Sequence, residues 1–232
     1  MRIAHLSMYD TAGGAARAAY RLHVGLRALG HESTFCTRYR FSSDPDVQQL
    51  AYQPGFVERV LARLRRGLQG VPPAARPRVL HIASLAPLRA DGAGSLIDQW
   101  ITLAGGRNVA AELHGTLQSV SIEQIARWNP DIIIIGGQDA RPEDNPLAIA
   151  PGLNGRRLVR NPSGVYQWDR HGPEVALQLL WAARLLHPAR FADVDMTRET
   201  QGFFRRFFGY SLTADETQRI LAAAPPPAAP AG

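Results

Sequence analysis

The sequence predicts an α/β protein: a mostly parallel sheet lobe, three layers deep, preceded by a Rossmann-like βαβ fragment. Three observations carry this. Ile132-Ile133-Ile134-Ile135 is launched by Asn129-Pro130-Asp131 and stopped by Gly136-Gly137. An uninterrupted β-branched run of this kind marks a strand buried on both faces, as in the middle of a parallel sheet. Just before it, Ile122, Ile125, Ala126 and Trp128 fall at helical spacing behind a cap at Ser119 or Ser121, so helix and strand form one αβ unit. Residues 1–40 repeat the theme as strand, glycine turn, helix and strand.

Taken in order, Arg2–Ser7 is the first strand, Tyr9–Gly14 a turn, and Ala15–Leu29 a helix with Ala19, Leu22, His23, Leu26 and Leu29 along one stripe. Gly30 caps it, and His31–Thr37 is the second strand. Phe56–Leu68 is an amphipathic helix whose apolar face holds Val57, Val60, Leu61, Leu64 and Leu68 and whose arginines form a solvated face. Residues 70–77, rich in proline, read as a linker. A second α/β pattern then begins: strand Val79–Ser84, glycine-rich loop Arg89–Gly94, helix from Ser95 to Leu103, the Ile132 strand, a strand at 156–161, and helices at 174–186, 197–208 and 213–222. The tail 223–232 is Ala/Pro-rich and reads as disordered. The implied division is 1–46, 47–77, 78–222 and 223–232.

Composition excludes several classes. The formal charge of +6 comes entirely from arginine, since the sequence has no lysine, and the basic residues are scattered without a nucleic-acid reader motif. No apolar run approaches membrane-spanning length, and Met1–Met8 lacks the apolar core of a secretory leader. Cys36 is a single cysteine, without a disulfide partner or a zinc cluster, and is expected to be a buried thiol. The seven histidines (5, 23, 31, 81, 114, 171, 187) never take metal-ligand spacing, and no G-x-S-x-G elbow occurs, so no catalytic residue, metal or cofactor is assigned. His5 and His23 are expected in the core. Asp10, beside the Gly13–Gly14 turn, is a candidate base for a sugar-acceptor site.

The stretches PRVLHIASLAPLRADGAGSLIDQWITLAGGRNVA, VSIEQIARWNPDIIIIGG, GRRLVRNPSGVYQWDRHGPEVALQLLWAARLLHPARFADVD and FFRRFFGYSLTADE resemble the C-terminal lobe of periplasmic binding proteins. These are the class III proteins that serve ABC importers of ferric siderophores, haem and cobalamin. The resemblance spans about residues 76–222 and implies a solute-binding protein without a catalytic step. It further implies an iron chelate, haem or corrinoid as ligand, an importer permease as partner, and a periplasmic family that this N-terminus, without a leader, does not match. Residues 1–45 resemble instead the opening of family 4 glycosyltransferases, whose donor lobe has no counterpart downstream. The chain thus reads as a fusion, with a sugar-acceptor half as the alternative function.

The resemblance places the ligand face on loops 84–95, 136–140 and 161–168. Arg89 would pair with anionic oxygens of a chelate, and Ser95 stands at the end of the first loop. Gly136, Gly137 and Gln138 would let the backbone approach the ligand, and Tyr166 and Trp168 would stack on a planar face. Asp169 and Glu174 would dock onto permease arginines. Gly13 and Gly14, at a helix N-terminus, form a candidate anion-binding turn.

Overall fold

The Ile132 run forms an interior strand of the larger of the two sheets among the described residues. A computed structural model describes residues 2–50, 54–136, 156–170 and 172–224. The chain divides between Val57 and Glu58 into two compact units, with the boundary inside one helix.

In the first unit, β1 (Arg2–Tyr9), α1 (Gly14–Ala28), β2 (Glu32–Tyr39) and β3 (Val47–Gln49) form a parallel sheet of order β1-β2-β3. β3 pairs with β2 at Phe35, Cys36 and Thr37, which carries the unit beyond residue 46, where the sequence alone ended it. The buried stripe of α1 differs from the expected one. Ala16 and His23 are buried, whereas Leu22 and Leu29 are 57% and 75% exposed. His23 is a core histidine, with Nδ1 2.9 Å from Ser33 Oγ and its ring edge-on to Phe35. Cys36 is only half-buried, because it lies on the sheet face opposite buried Phe35 and Thr37.

The second unit begins within α2 (Pro54–Leu68), which buries Val60 and Leu64. The stretch expected as a linker contains a single 3-10 turn, Pro73–Ala75, and leads into β4 (Arg78–Leu85). Then follow β5 (Leu88–Ala90), α3 (Leu96–Leu103), β6 (Arg107–Asn108), β7 (Gln118–Ser119), α4 (Ile122–Trp128), β8 (Ile132–Ile135) and β9 (Arg157–Arg160). The chain continues through α5 (Val175–Leu186), α6 (Met196–Phe208) and α7 (Ala214–Leu221). The sheet runs β7-β5-β4-β8-β9, with β6 also on β4; the β4, β6, β8 and β9 pairings are parallel and β5 is antiparallel to β4.

Register sorts the side chains between two layers. β4 and β8 pair Leu80 with Ile133 and Ile82 with Ile135, and these four join Ile125 of α4 in one core. The alternate pairs, Val79 with Ile132 and His81 with Ile134, face the other way. On that side His81 meets Trp100 of α3 edge-on at 6.0 Å. α5 is buried around most of its circumference, from Ala176 to Leu186, which explains its near-absence of charge.

Local signals set the helix ends. Ser95 and Ser121 accept from Asp98 N and Gln124 N, and Thr213 and Glu216 form a capping box. Asn129 turns α4 into β8 at φ 52°, a left-handed position that asparagine tolerates.

Candidate functional site: the strand carboxyl ends of the larger sheet

β4, β8 and β9 run parallel, so their carboxyl ends bring together the loop into β5, Gly136, and the segment from Asn161 to Arg170. In open α/β sheets this is the ligand side. Its centre is a buried ionic cluster. His81 enters from β4, Asp91 from the end of β5, and Asp169 from the β9–α5 segment, none of the three with side-chain exposure. His81 Nε2 lies 2.8 Å from Asp169 Oδ2 and Nδ1 3.3 Å from Asp91 Oδ2. Arg170 Nε stands 3.9 Å from Asp169 Oδ1, and Asp91 Oδ1 accepts from Leu117 N at 3.0 Å.

Burial works against a charged imidazole here, but the bonds and charges of Asp169 and Asp91 outweigh it and push the His81 pKa up. Burial likewise opposes the Asp91 carboxylate, and His81 with the Leu117 amide holds it below the usual range. With His81 protonated, two carboxylates face an imidazolium and a guanidinium, and the charges cancel. A charge-balanced buried group of this kind ties together the segments that contribute its members.

Several residues expected to face a ligand are committed within the fold instead. A Cβ at Gly136 would overlap Asp169 Oδ2 and stand 2.7 Å from His81 Nε2, so glycine makes room for the pair, and Gly136 N donates to Ile82 O. Ser95 is buried and its hydroxyl is committed, donating to Gly92 O at 2.7 Å and accepting from Asp98 N at 3.1 Å. Trp168, 1% exposed, is a core side chain with no face open for stacking. Gly137 and Gln138 lie outside the described residues.

The two docking candidates also turn inward. Asp169 is consumed by His81. Glu174, 1% exposed, accepts from Val165 N at 2.8 Å and Tyr166 N at 3.4 Å across Gly164. Its burial dominates those bonds and the nearby Trp168 indole, raising the carboxyl pKa to about 7. Neither side chain presents a charge on the surface, because each is the acceptor for donors within the fold.

What stays accessible is Arg89 and Tyr166. Arg89 is half-buried on β5 rather than in a loop, opposite Ser84 at the end of β4, and donates to Leu117 O at 3.2 Å. Tyr166 is 53% exposed. Sequence reasoning missed His81 and Asp91 as a pair. The signal was present: a histidine inside the apolar strand Val79–Ala83 needs a buried partner.

In the first unit, Gly13 (φ 88°) is the N-cap of α1 and Gly14 its first residue, both exposed. Asp10 is no candidate base. Burial raises its pKa, but donors from Ser42, Phe41 and Thr11 outweigh that and hold the carboxylate well below the usual range. It fastens the chain after β2 to the end of β1. Among the described residues no three His, Cys, Asp or Glu side chains are arranged to hold a metal ion, and no helix is long and apolar enough to cross a membrane.

No protein-family model matches the chain. It is 29% identical over 136 residues to the molybdate-binding protein MolA of Haemophilus influenzae; the match covers 55% of this chain and 38% of MolA. Among solved structures it is similar to a periplasmic solute-binding protein from Veillonella parvula (TM-score 0.65, 23% identity, 94% of this chain and 69% of that one). It is also similar to CeuE of Helicobacter pylori in a nickel–histidine complex (TM-score 0.59, 18% identity, 93% and 63%). The glycosyltransferase likeness of residues 1–45, and with it the sugar-acceptor alternative, receives no support from these comparisons; the Veillonella match takes in most of the first unit as well. In fold, the chain is similar to the class III periplasmic solute-binding proteins.

Proposed function

We propose that residues 78–222 act as a solute-binding lobe of the kind that serves an ABC importer, without a catalytic step, and that the ligand meets the carboxyl ends of β4, β8 and β9. The observation that carries this reading is the His81–Asp91–Asp169 cluster beneath that face. This buried bridge, balanced by Arg170 beside Asp169, ties the β5 end to the 161–170 segment around Gly136, which suits a preformed solute site. The likeness to MolA over 136 residues supports the same assignment.

Accessible chemistry favours an anionic solute. Arg89 keeps guanidinium N–H groups beyond the one bonded to Leu117, and Tyr166 offers a phenol. A metal oxyanion such as molybdate, or an iron chelate with carboxylate or catecholate oxygens, suits these donors. A haem or corrin plane is disfavoured, because Trp168 is inside the core. Calorimetric titration with molybdate, a ferric catecholate siderophore, haem and cobalamin tests this. Saturable binding of an anionic member, weakened about tenfold in Arg89→Ala, is expected. Silence across the panel, or binding indifferent to Arg89, contradicts it.

A further inference from the structure

Arginines of α2 flank its buried stripe, and the fold brings another beside them from far along the chain. Arg63, Arg66 and Gly67 of α2, with Arg190 and Asp193 from the connection between α5 and α6, line a groove of about 370 Å³. Three guanidinium groups share it with one carboxylate.

The groove has a built floor. A Cβ on Gly67 would stand 2.8 Å from Cε1 of Phe191, so the glycine lets that ring pack against the helix. Arg63 pairs with Asp193, and its guanidinium lies 5.2 Å from the centre of the Phe191 ring. Arg190 donates through Nη1 to the carbonyls of Gly67 (3.1 Å) and Gln69 (3.2 Å) at the end of α2. These anchors hold both groups in place and leave N–H donors on their other nitrogens. Arg66 is exposed on the rim, its side chain without a hydrogen bond or ion pair among the described residues. Nearby, burial, reinforced by the charges of Arg190 and Arg76, holds the His187 imidazole below its usual pKa despite its bond to Gly105 O.

We propose that this groove binds a phosphate-type oxyanion, held by the N–H forks of Arg66, Arg63 and Arg190. Guanidinium groups match the geometry of such anions in pairs, and two of the three are already immobilised, which lowers the ordering cost of binding. Free diphosphate and a phospholipid headgroup share this chemistry. The groove uses no residue of the strand-end loops, so it stands or falls separately from the solute site.

The test uses the full chain, with pyrophosphate titrated calorimetrically at fixed ionic strength, and cosedimentation with phosphatidylglycerol or phosphatidylcholine vesicles. Saturable pyrophosphate binding, weakened about five- to tenfold in Arg66→Ala and abolished in Arg66→Glu, identifies a free phosphate ligand. Sedimentation with phosphatidylglycerol but not phosphatidylcholine, lost in Arg66→Glu, identifies a headgroup. Because Arg66 is exposed, both variants should melt like the parent without anion. Absence of both kinds of binding, or binding that the Arg66 variants leave intact, overturns the assignment.

Discussion

At the scale of single residues, the ionisable groups under the strand ends make stability depend on pH in a definite direction. Glu174 has its folded pKa raised from 4.5 to about 7, so the native state binds the extra proton and stability falls as pH rises across that interval. The shift corresponds to about 3 kcal/mol, to order of magnitude. His81 acts in the same sense: its raised pKa gives stability that is complete below the ordinary histidine value and is lost as pH climbs through the folded one. Asp91 acts oppositely, losing its contribution below the ordinary aspartate value. Thermal melting should therefore show highest stability in mildly acidic buffer, and Glu174→Gln should flatten the fall between about pH 5 and 8. A melting temperature that rises across that range would refute the assignment. Removing His81 strands two buried carboxylates, so His81→Ala should cost about 3–5 kcal/mol in denaturant unfolding. Gly136→Ala, which pushes a methyl into the same pair, should cost about 1–3 kcal/mol by the same assay.

At the scale of elements, most of the architecture was legible because its signals are local. The Ile132 run, the Ser95 and Ser121 caps, and the apolar spacing of α5 each announce themselves within a few residues. Ile134, unexposed at the centre of that run, should cost about 2–5 kcal/mol when cut to alanine, a loss denaturant titration would read directly. Thr213→Ala, which removes the capping box of α7, should cost about 1 kcal/mol. What stayed illegible depends on partners distant in sequence. Arg89 looked like a loop residue because its strand is three residues long and defined only by pairing with β4 and β7. Trp168, Asp169 and Glu174 looked like surface features of a loop and a helix start. Nothing near them in the chain reveals His81, or shows that the turn at Gly164 exposes amides to Glu174. The α1 stripe was misjudged for a related reason: leucines at helical spacing do not say how much sheet lies beneath them, and three strands leave Leu22 and Leu29 uncovered.

At the scale of the whole molecule, the chain spans 38% of the length of the curated relative it matches, and solute selectivity is a property of everything that surrounds a ligand. The ligand face proposed for this lobe is the set of strand ends over His81, with Arg89 supplying the charge. An oxyanion such as molybdate has a rival destination in the arginine groove of α2, so binding alone does not locate it. Amide hydrogen exchange with and without molybdate, read segment by segment on the full chain, does. Protection concentrated at residues 84–95 and 161–170, and lost in Arg89→Ala, is the expected result. Protection confined to α2 and residues 187–193, or no change anywhere, would contradict a solute site at the strand ends.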